Sequence, residues 1–438
     1  LKDLKIKDSA IKYSEIATRI AAIEAAYRVL YKGRSLDEVM EEMRDNPQMS
    51  GRDFAFATYL LHLIVKNKVR YCNFLQDFLR EPLTKMNVKA VLILLCGVAQ
   101  LKHMQVPDYA TVNSSVDLFK HYKMPHLTGL CNAVLKKAIQ TEISQVSLTD
   151  APDWTSQILI SDYGKEDATS IWCASMNDIA HTDLTFKNPE LLQTYQAEHN
   201  WQHLFGNSLR VQNAGKISEL VGYAKGDWWV QDLAAHLPIY GVRGLLQHDA
   251  KILDLCAAPG GKTMQLASMG AVVTAVDRSR ARLNILQQNL HRTGLDAEIM
   301  QLDLQKQNQL EADYYDLVVL DAPCSATGTL RRNPEIIYQL KPEDINKLMQ
   351  LQAELLEVAS KLVVMGGYLL YIVCSLFQCE GEQQISKFLQ ENKDFVKADF
   401  DLSADFIGQN GDYRTLPHYN CENGGMDGFF AAVLQKIN

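Results

Sequence analysis

The 438-residue chain predicts two kinds of architecture in series: an all-helical domain, then an α/β domain of the doubly wound type. Three observations lead there. Up to about residue 145, one apolar-periodic run follows another with no strand signal. From about Ala250, short apolar runs alternate with helical ones, the pattern of a parallel sheet with helices on both faces and right-handed connections. The short runs also end in chemically active residues, at Asp277, Asp303, Asp321 and Cys374. The carboxyl ends of strands are where such sheets bind ligands.

Element by element, a helical run opens at Ser14-Glu15-Ile16-Ala17 and continues to Leu30, and a second spans Asp53 to Val69. Val88 to Leu101 (VKAVLILLCGVAQL) is apolar on nearly every side and predicts a central buried helix. Pro107-Asp108 starts a helix through His121, and Leu127 to Ile139 forms another. Residues 146 to about 240 are broken by Pro152 and Pro189 and predict a small mixed subdomain or connector. Strands then follow at 251–255, 271–276, 298–302, 316–320, 368–373 and 429–434, with helices at about 261–269, 279–291 and 342–362 and near Glu380. The expected domains are therefore 1–145, 146–240 and 241–438.

Composition narrows the class. Hydrophobic residues make up 47% and charged residues 22%, a globular balance that excludes disorder and fibrous repeats. The uncharged stretch Leu362–Phe377 is short for a membrane span and contains Gly366-Gly367, so it reads as a strand entry. No basic, apolar leader opens the given sequence. Nine cysteines without a C-x-x-C pair give neither a zinc nor a disulfide framework. The expectation is free thiols in the cytoplasm, with no membrane and no metal. Residues 1–150 carry 21 Lys and Arg against 16 Asp and Glu, a balance of +5, which leaves −13 for the remainder. A basic front suits a polyanion-binding module, although uneven scatter would give the same numbers.

The first strand–helix turn is Asp254-Leu255-Cys256-Ala257-Ala258-Pro259-Gly260-Gly261-Lys262-Thr263. Small residues let the backbone approach a ligand, and the helix that follows offers free N–H groups to an anion. Gly261-Lys262-Thr263 also matches the end of a nucleotide-binding P-loop. That motif would need glycine at 256, where this chain has Cys, and Pro259 removes an N–H donor. Asp277 lies 17 positions beyond Gly260, the spacing at which an acid bonds ribose hydroxyls. Asp303 could accept an exocyclic amine of adenine, or could cap the next element. An adenosine with an anionic tail satisfies the set, and S-adenosylmethionine is such a molecule. Cys324, after Asp321-Ala322-Pro323, and Cys374, after Tyr371-Ile372-Val373, end consecutive parallel strands. If those strands are neighbours they lie about 4.8 Å apart, and both thiols can then face one crevice. Cys72, Cys96, Cys131 and Cys173 read as packing.

DLCAAPGGKT, LDAPCSATGTLRRNPEI and YIVCSLFQCEGEQQI resemble the motifs of the RNA cytosine-C5 methyltransferase family over the final ~200 residues. Arg52-Asp53, VPDYATVNSSVDLFK and CNAVLKKAI resemble the NusB-like RNA-binding domain. The combination is similar to the Sun/Fmu branch of the family, which acts on bacterial small-subunit (16S) ribosomal RNA. Trp229-Val230-Gln231-Asp232 resembles that branch's lead-in to the catalytic domain, and Leu184-Thr185-Phe186-Lys187-Asn188 matches its pattern in part. The resemblance implies a Rossmann-like class I methyltransferase domain behind a NusB-like domain, acting on ribosomal RNA; separately, a monomer is expected. It implies Cys374 as the nucleophile on cytosine C6, Cys324 as the base that removes the C5 proton, and Asp321 as the partner of the base near N3. Cys256, Ala257, Ala258, Pro259, Gly260, Gly261, Lys262, Asp277, Asp303 and Asp321 would hold S-adenosylmethionine. Arg331 and Arg332 would meet RNA phosphates or form a solvated face. Two other classes compete: a P-loop-like NTPase, and a non-catalytic RNA-binding assembly factor that has kept a relic enzyme domain.

Overall fold

Apolar residues at helical spacing build the first part of the chain. In the computed structural model, which describes residues 15–177, 180–212, 214–247, 249–306, 309–408 and 410–438, α1 (Glu15–Lys32) buries Ala22, Ile23, Ala26 and Val29 completely. Ser14, the expected start of this run, lies outside the described residues. There follow α2 (Leu36–Arg44), α3 (Gly51–Lys66), α4 (Lys68–Gln76), α5 (Val88–His103), α6 (Asp108–His121) and α7 (Thr128–Gln140). Every residue of α5 from Ala90 to Gln100 is buried, as its apolar circumference requires. The expected run from Asp53 to Val69 divides at Asn67 into α3 and α4.

The chain separates into two compact units. One comprises residues up to Pro152 together with Asn333–Gln339, and the other comprises Asp153–Arg332 with Leu340–Asn438. In the first unit the returning segment is held by the Glu335 carboxylate, which accepts from the Leu36 N–H at 3.0 Å, and by the Gln339 amide, which donates to Arg34 O. No local pattern in the sequence announces this insertion.

The second unit begins with α8 (Asp153–Asn177), which is kinked at Gly164 where φ is +77°. A four-stranded antiparallel sheet follows, with β1 (Thr182–Phe186), β2 (Gln202–His203), β3 (Ser208–Val211) and β4 (Trp228–Val230) in the order β2-β3-β1-β4. α9 (Pro189–His199) joins β1 to β2, and α10 (Leu233–Gly241) leads out. The Arg210 guanidinium reaches both oxygens of Asp183 at 2.7 and 2.8 Å, with both side chains buried.

The main sheet contains β5 (Lys251–Leu255), β6 (Val272–Asp277), β7 (Glu298–Gln301), β8 (Tyr315–Asp321), β9 (Val363–Val373), β10 (Phe395–Ala398), β11 (Tyr413–Thr415) and β12 (Phe429–Lys436). Its helices are α11 (Gly261–Ser268), α12 (Arg280–Thr293), α14 (Pro342–Ser360) and α15 (Glu382–Glu391); the single turn α13 (Ile336–Gln339) belongs to the first unit. The order is β10-β12-β9-β8-β5-β6-β7, with β11 on β12. β5 to β9 run parallel, as expected, whereas β12 is antiparallel to β9, and β10 and β11 are antiparallel to β12. The sheet is therefore mixed. A strand buried on both faces has the same apolar run in either direction, so its polarity is not written in its composition. Strand order reverses between β6 and β8 across β5, which opens a ligand crevice at their carboxyl ends. No helix among the described residues is long and apolar enough to cross a membrane.

Candidate active site

The turn after β5 holds two unusual backbone positions. Cys256 has φ of +59°, and Gly260 has φ of +105° with Leu286 Cγ only 2.9 Å from where a Cβ would stand. Glycine is required there on both counts. The Ala258–Pro259 bond between them is cis. No side chain caps α11, so its first amides and the positive end of its dipole are left to an anionic group. Beneath the turn, Asp254 is fully buried and accepts from Thr263 Oγ1 at 2.6 Å. Burial pushes its carboxyl up to about 7, against the lowering effect of the Thr263 bond. Cys256 is pushed up to about 12 by burial and by the charges of Asp321 and Asp277; it is a neutral thiol.

The expected cofactor residues divide between two cavities. One, of about 260 Å³, is lined by Cys256, Asp277, Asp303, Asp321, Cys324 and Cys374, among others. The other, of about 420 Å³, is lined by Ala257, Ala258, Pro259, Gly261, Lys262 and Arg332, again with Asp321. Asp321 belongs to both walls; Gly260 belongs to neither. Asp277 is already engaged, accepting from Ser279 N at 2.8 Å and Ala258 N at 3.3 Å, with Arg282 at 3.4 Å. A carboxylate has about four lone-pair sites, so beside these three partners acceptor capacity remains for about one hydroxyl. Asp303 accepts from Gln305 N at 3.2 Å and pairs with Lys306 at 2.8 Å, which lowers its pKa. It thus caps the turn beyond β7, the plainer of its two readings, while still facing the first cavity.

β8 and β9 are hydrogen-bonded parallel neighbours with Asp321 opposite Ile372. The loops that leave them stay together: Ala322 N donates to Ile372 O at 2.9 Å and Gly328 N to Cys374 O at 3.0 Å. Gly328 is packed so tightly that a Cβ would fall 1.7 Å from Gly428 O. This pairing brings Cys324 Sγ to 3.4 Å from Cys374 Sγ. The Cys324 thiol is raised well above its ordinary range by its hydrogen bond to Cys374, then by burial, then by the charges of Cys374 and Glu380.

Lys262 Nζ donates to Asp321 Oδ2 at 2.8 Å. Burial works to lower the pKa of this ammonium, but Asp321 outweighs it and the group stays charged. Pairing with Asp321 sets this lysine apart from one that follows bound phosphates. Arg331 overturns its expectation: it is buried and donates to Gly424 O, so it is neither a phosphate contact nor part of a solvated face. Arg332 pairs with buried Asp427 while its side chain remains 37% exposed on the second cavity. Sequence reasoning missed Glu380, a fully buried carboxylate. It lies inside the quoted YIVCSLFQCEGEQQI motif, but its partners become visible only in the fold.

Fold and site together define a class I methyltransferase domain joined to a NusB-like helical domain. A profile of the 16S rRNA methyltransferase RsmB/F family matches residues 245–435, and one of the NusB family matches residues 16–140. Ribosomal RNA small subunit methyltransferase B of Xanthomonas campestris pv. campestris is 30% identical over 437 residues, covering 97% of this chain and 98% of the relative. The protein of the same name from Serratia proteamaculans is 32% identical over 441 residues, covering 95% and 98%. Among solved structures, PH0851 superposes with a TM-score of 0.76 at 22% identity, covering 98% of this chain and all of that one. NSun6 from Pyrococcus horikoshii with SFG gives 0.57 at 19% identity, covering 66% and 98%. The chain belongs to the ribosomal RNA small subunit methyltransferase B family.

Proposed function

We propose that this protein transfers a methyl group from S-adenosylmethionine to C5 of a cytosine in small-subunit ribosomal RNA, through a covalent adduct on Cys374. The observation that carries this reading is the pair of thiols 3.4 Å apart beside Asp321 and Lys262, at the carboxyl end of the sheet. The first cavity fits the cofactor chemically: Asp277 offers an acceptor for a ribose hydroxyl, Asp303 an acceptor for an amine, and the uncapped α11 an anion site close by. When bound, S-adenosylmethionine supplies an electrophilic methyl group on a sulfonium.

Cytosine C5 is a poor nucleophile. Addition of the Cys374 thiolate to C6 breaks the C5–C6 π bond and makes C5 the nucleophilic end of an enamine. As the thiolate adds, N3 takes up a proton from solvent; the Asp321 carboxylate, held in place by Lys262, accepts from that N3–H, and the same proton leaves N3 when the adduct eliminates. The Cys324 thiol first releases its proton to solvent. As a thiolate, once Cys374 is committed to C6 and no longer hydrogen-bonded to it, it takes the C5 proton. The C5–H electron pair then re-forms the double bond, and the C6–S pair returns to Cys374. One proton leaves per turnover. The base must unstack to reach the thiols, at a cost of roughly a few kcal/mol. The helical unit, with its basic excess, would hold the RNA through phosphates. Free thiols suit a reducing compartment such as the cytoplasm.

The two cysteines fail differently, and that is the test. Cys374→Ala should be inactive and never become attached to RNA. Cys324→Ala should transfer about one methyl group per enzyme and accumulate as a protein–RNA complex stable in denaturing gels, because the adduct cannot eliminate. A stable complex with Cys374→Ala instead would exchange the two roles. A complex with neither variant, alongside an active parent, would dismiss the covalent route.

A further inference from the structure

Glu380 is fully buried, and its carboxylate lies between the two loops that carry the thiols. Oε1 accepts from the backbone N–H of Ser325 and from Gln352 Nε2, each at 2.9 Å. Oε2 accepts from the hydroxyls of Ser325 and Ser375. Ser325 follows Cys324, and Ser375 follows Cys374. Gln352, on α14, also donates to Pro323 O at 2.9 Å, so one amide nitrogen ties the residue before Cys324 to the carboxylate that holds the residue after it. The Glu380 backbone is fixed in turn, since its carbonyl accepts from Tyr371 Oη on β9 at 2.7 Å. Thr327 Oγ1 closes the lattice by accepting from Leu376 N at 3.0 Å. An uncompensated buried charge is costly. Here four donors satisfy it, and every one belongs to the catalytic loops or to the helix that braces them.

We propose that Glu380 is a positioning residue for the two-cysteine chemistry: its carboxylate locks the Cys324 and Cys374 loops together and so sets the approach of the two thiols. The proposal rests on the covalent reading above. The packing of a neutral side chain would have held the loops more simply, since a buried carboxylate is tolerated only with its full set of donors. The Glu380 charge also contributes, behind the Cys374 hydrogen bond and burial, to raising the Cys324 thiol.

The test uses the full-length chain and the trap defined above. In the Cys324→Ala background, adding Glu380→Gln places an amide N–H against the donors and should slow formation of the protein–RNA complex by about 10- to 100-fold, the range of one to two lost charge-assisted hydrogen bonds. Dissociation constants for S-adenosylmethionine and RNA should stay within about twofold of the parent. In otherwise wild-type protein, kcat should fall while KM holds. Ser325→Ala with Ser375→Ala should give a smaller loss in the same direction, and combining it with Glu380→Gln should add little, because the groups form one network. Complex formation at the parental rate in Glu380→Gln would overturn the proposal. So would a fall in cofactor affinity that matches the fall in rate, which would mark a merely structural role. If Glu380→Gln does not fold, the serine pair decides: a parental rate there rejects the proposal, and a slowed rate with intact cofactor binding supports it. If Cys324→Ala alone yields no complex, the covalent reading falls and this inference falls with it; if the complex forms but is indifferent to Glu380 and the serines, this inference alone falls.

Discussion

Helices α3 and α11, one from each unit, begin in opposite ways. At α3 the Ser50 hydroxyl accepts from Asp53 N at 3.2 Å and donates to the Asp53 carboxylate at 2.6 Å. At α2 Ser35 caps Glu38 N in the same way. At α11 the N-cap is Gly260, with no side chain to offer. In the helical unit α2, α3 and α5 carry side-chain caps while α4, α6 and α7 start without one, and apolar side chains surround α5. The catalytic unit leaves a helix end open and buries Asp254, Glu380 and Asp427 completely. On the proposed function the open end of α11 is kept for a ligand, while the buried carboxylates are paired and hold the turns and loops around it.

The largest effect expected outside the thiols lies in the self-contained unit. Leu94 is completely buried at the middle of α5, so Leu94→Ala should cost about 2–5 kcal/mol through lost transfer energy and a residual cavity. Denaturant titration followed by far-ultraviolet circular dichroism would measure it, with S-adenosylmethionine affinity of the folded protein unchanged. A loss below about 1 kcal/mol would mean that α5 is not the packed centre it resembles.

In the catalytic unit a comparable substitution should act on binding instead. Asp277→Ala should weaken S-adenosylmethionine binding by about 1–3 kcal/mol, the scale for hydrogen bonds to a charged group. Calorimetry that showed unchanged affinity would remove Asp277 from the ribose role.

Asp254 sharpens the contrast through pH. Its native carboxyl holds a proton up to about 7, because burial raises it, while in the unfolded chain it ionises near about 3.9. Between these values the native state binds the extra proton, so this group's contribution is full below about pH 4 and is lost as pH rises through about 7. Asp254→Asn should flatten that slope, gaining on the parent between pH 5 and pH 8 while still accepting from Thr263. Parallel denaturant midpoints at the two pH values would check it. An identical slope in the variant would show that the carboxyl ionises normally.

The features legible in the sequence were those carried by a local period or a strand end. α5 announced itself by its circumference, and β8 and β9 by short apolar runs ending at Asp321-Ala322-Pro323-Cys324 and Cys374. The antiparallel edge β12, β10 and β11 was not legible, because Phe429–Leu434 reads alike in either direction. The strands β1 to β4 are two to five residues long, too short for alternation to register. Their strongest tie, Asp183 to Arg210, joins residues 27 positions apart. Arg331 looked like a surface cation beside Arg332, and only the fold shows its guanidinium turned inward to a carbonyl. Glu380 was in view within a motif, but its meaning depends on Ser325, 55 positions away. Such roles come from three-dimensional convergence, which no local pattern records.

The smallest predicted effect tests the opening contrast most directly, because it concerns a helix end and nothing else. Ser50 is exposed and touches no ligand cavity, so its replacement should register only as the loss of a cap. Ser50→Ala removes the acceptor for Asp53 N and the donor to the Asp53 carboxylate together, at a cost of about 1 kcal/mol. Ser50→Gly keeps the permissive backbone of an N-cap and should cost only a few tenths of a kcal/mol. The reverse substitution at α11 should not behave as a repair. Gly260→Ser would give the helix a capping hydroxyl, but at φ of +105° and against Leu286 the new Cβ is strained, and the hydroxyl would compete for the amides left to an anion. Chemical denaturation should therefore rank Ser50→Gly above Ser50→Ala, and Gly260→Ser should lose both stability and S-adenosylmethionine affinity. If Gly260→Ser were instead more stable and bound the cofactor as well as the parent, the open end of α11 would be an ordinary helix start, like the uncapped starts of α4, α6 and α7.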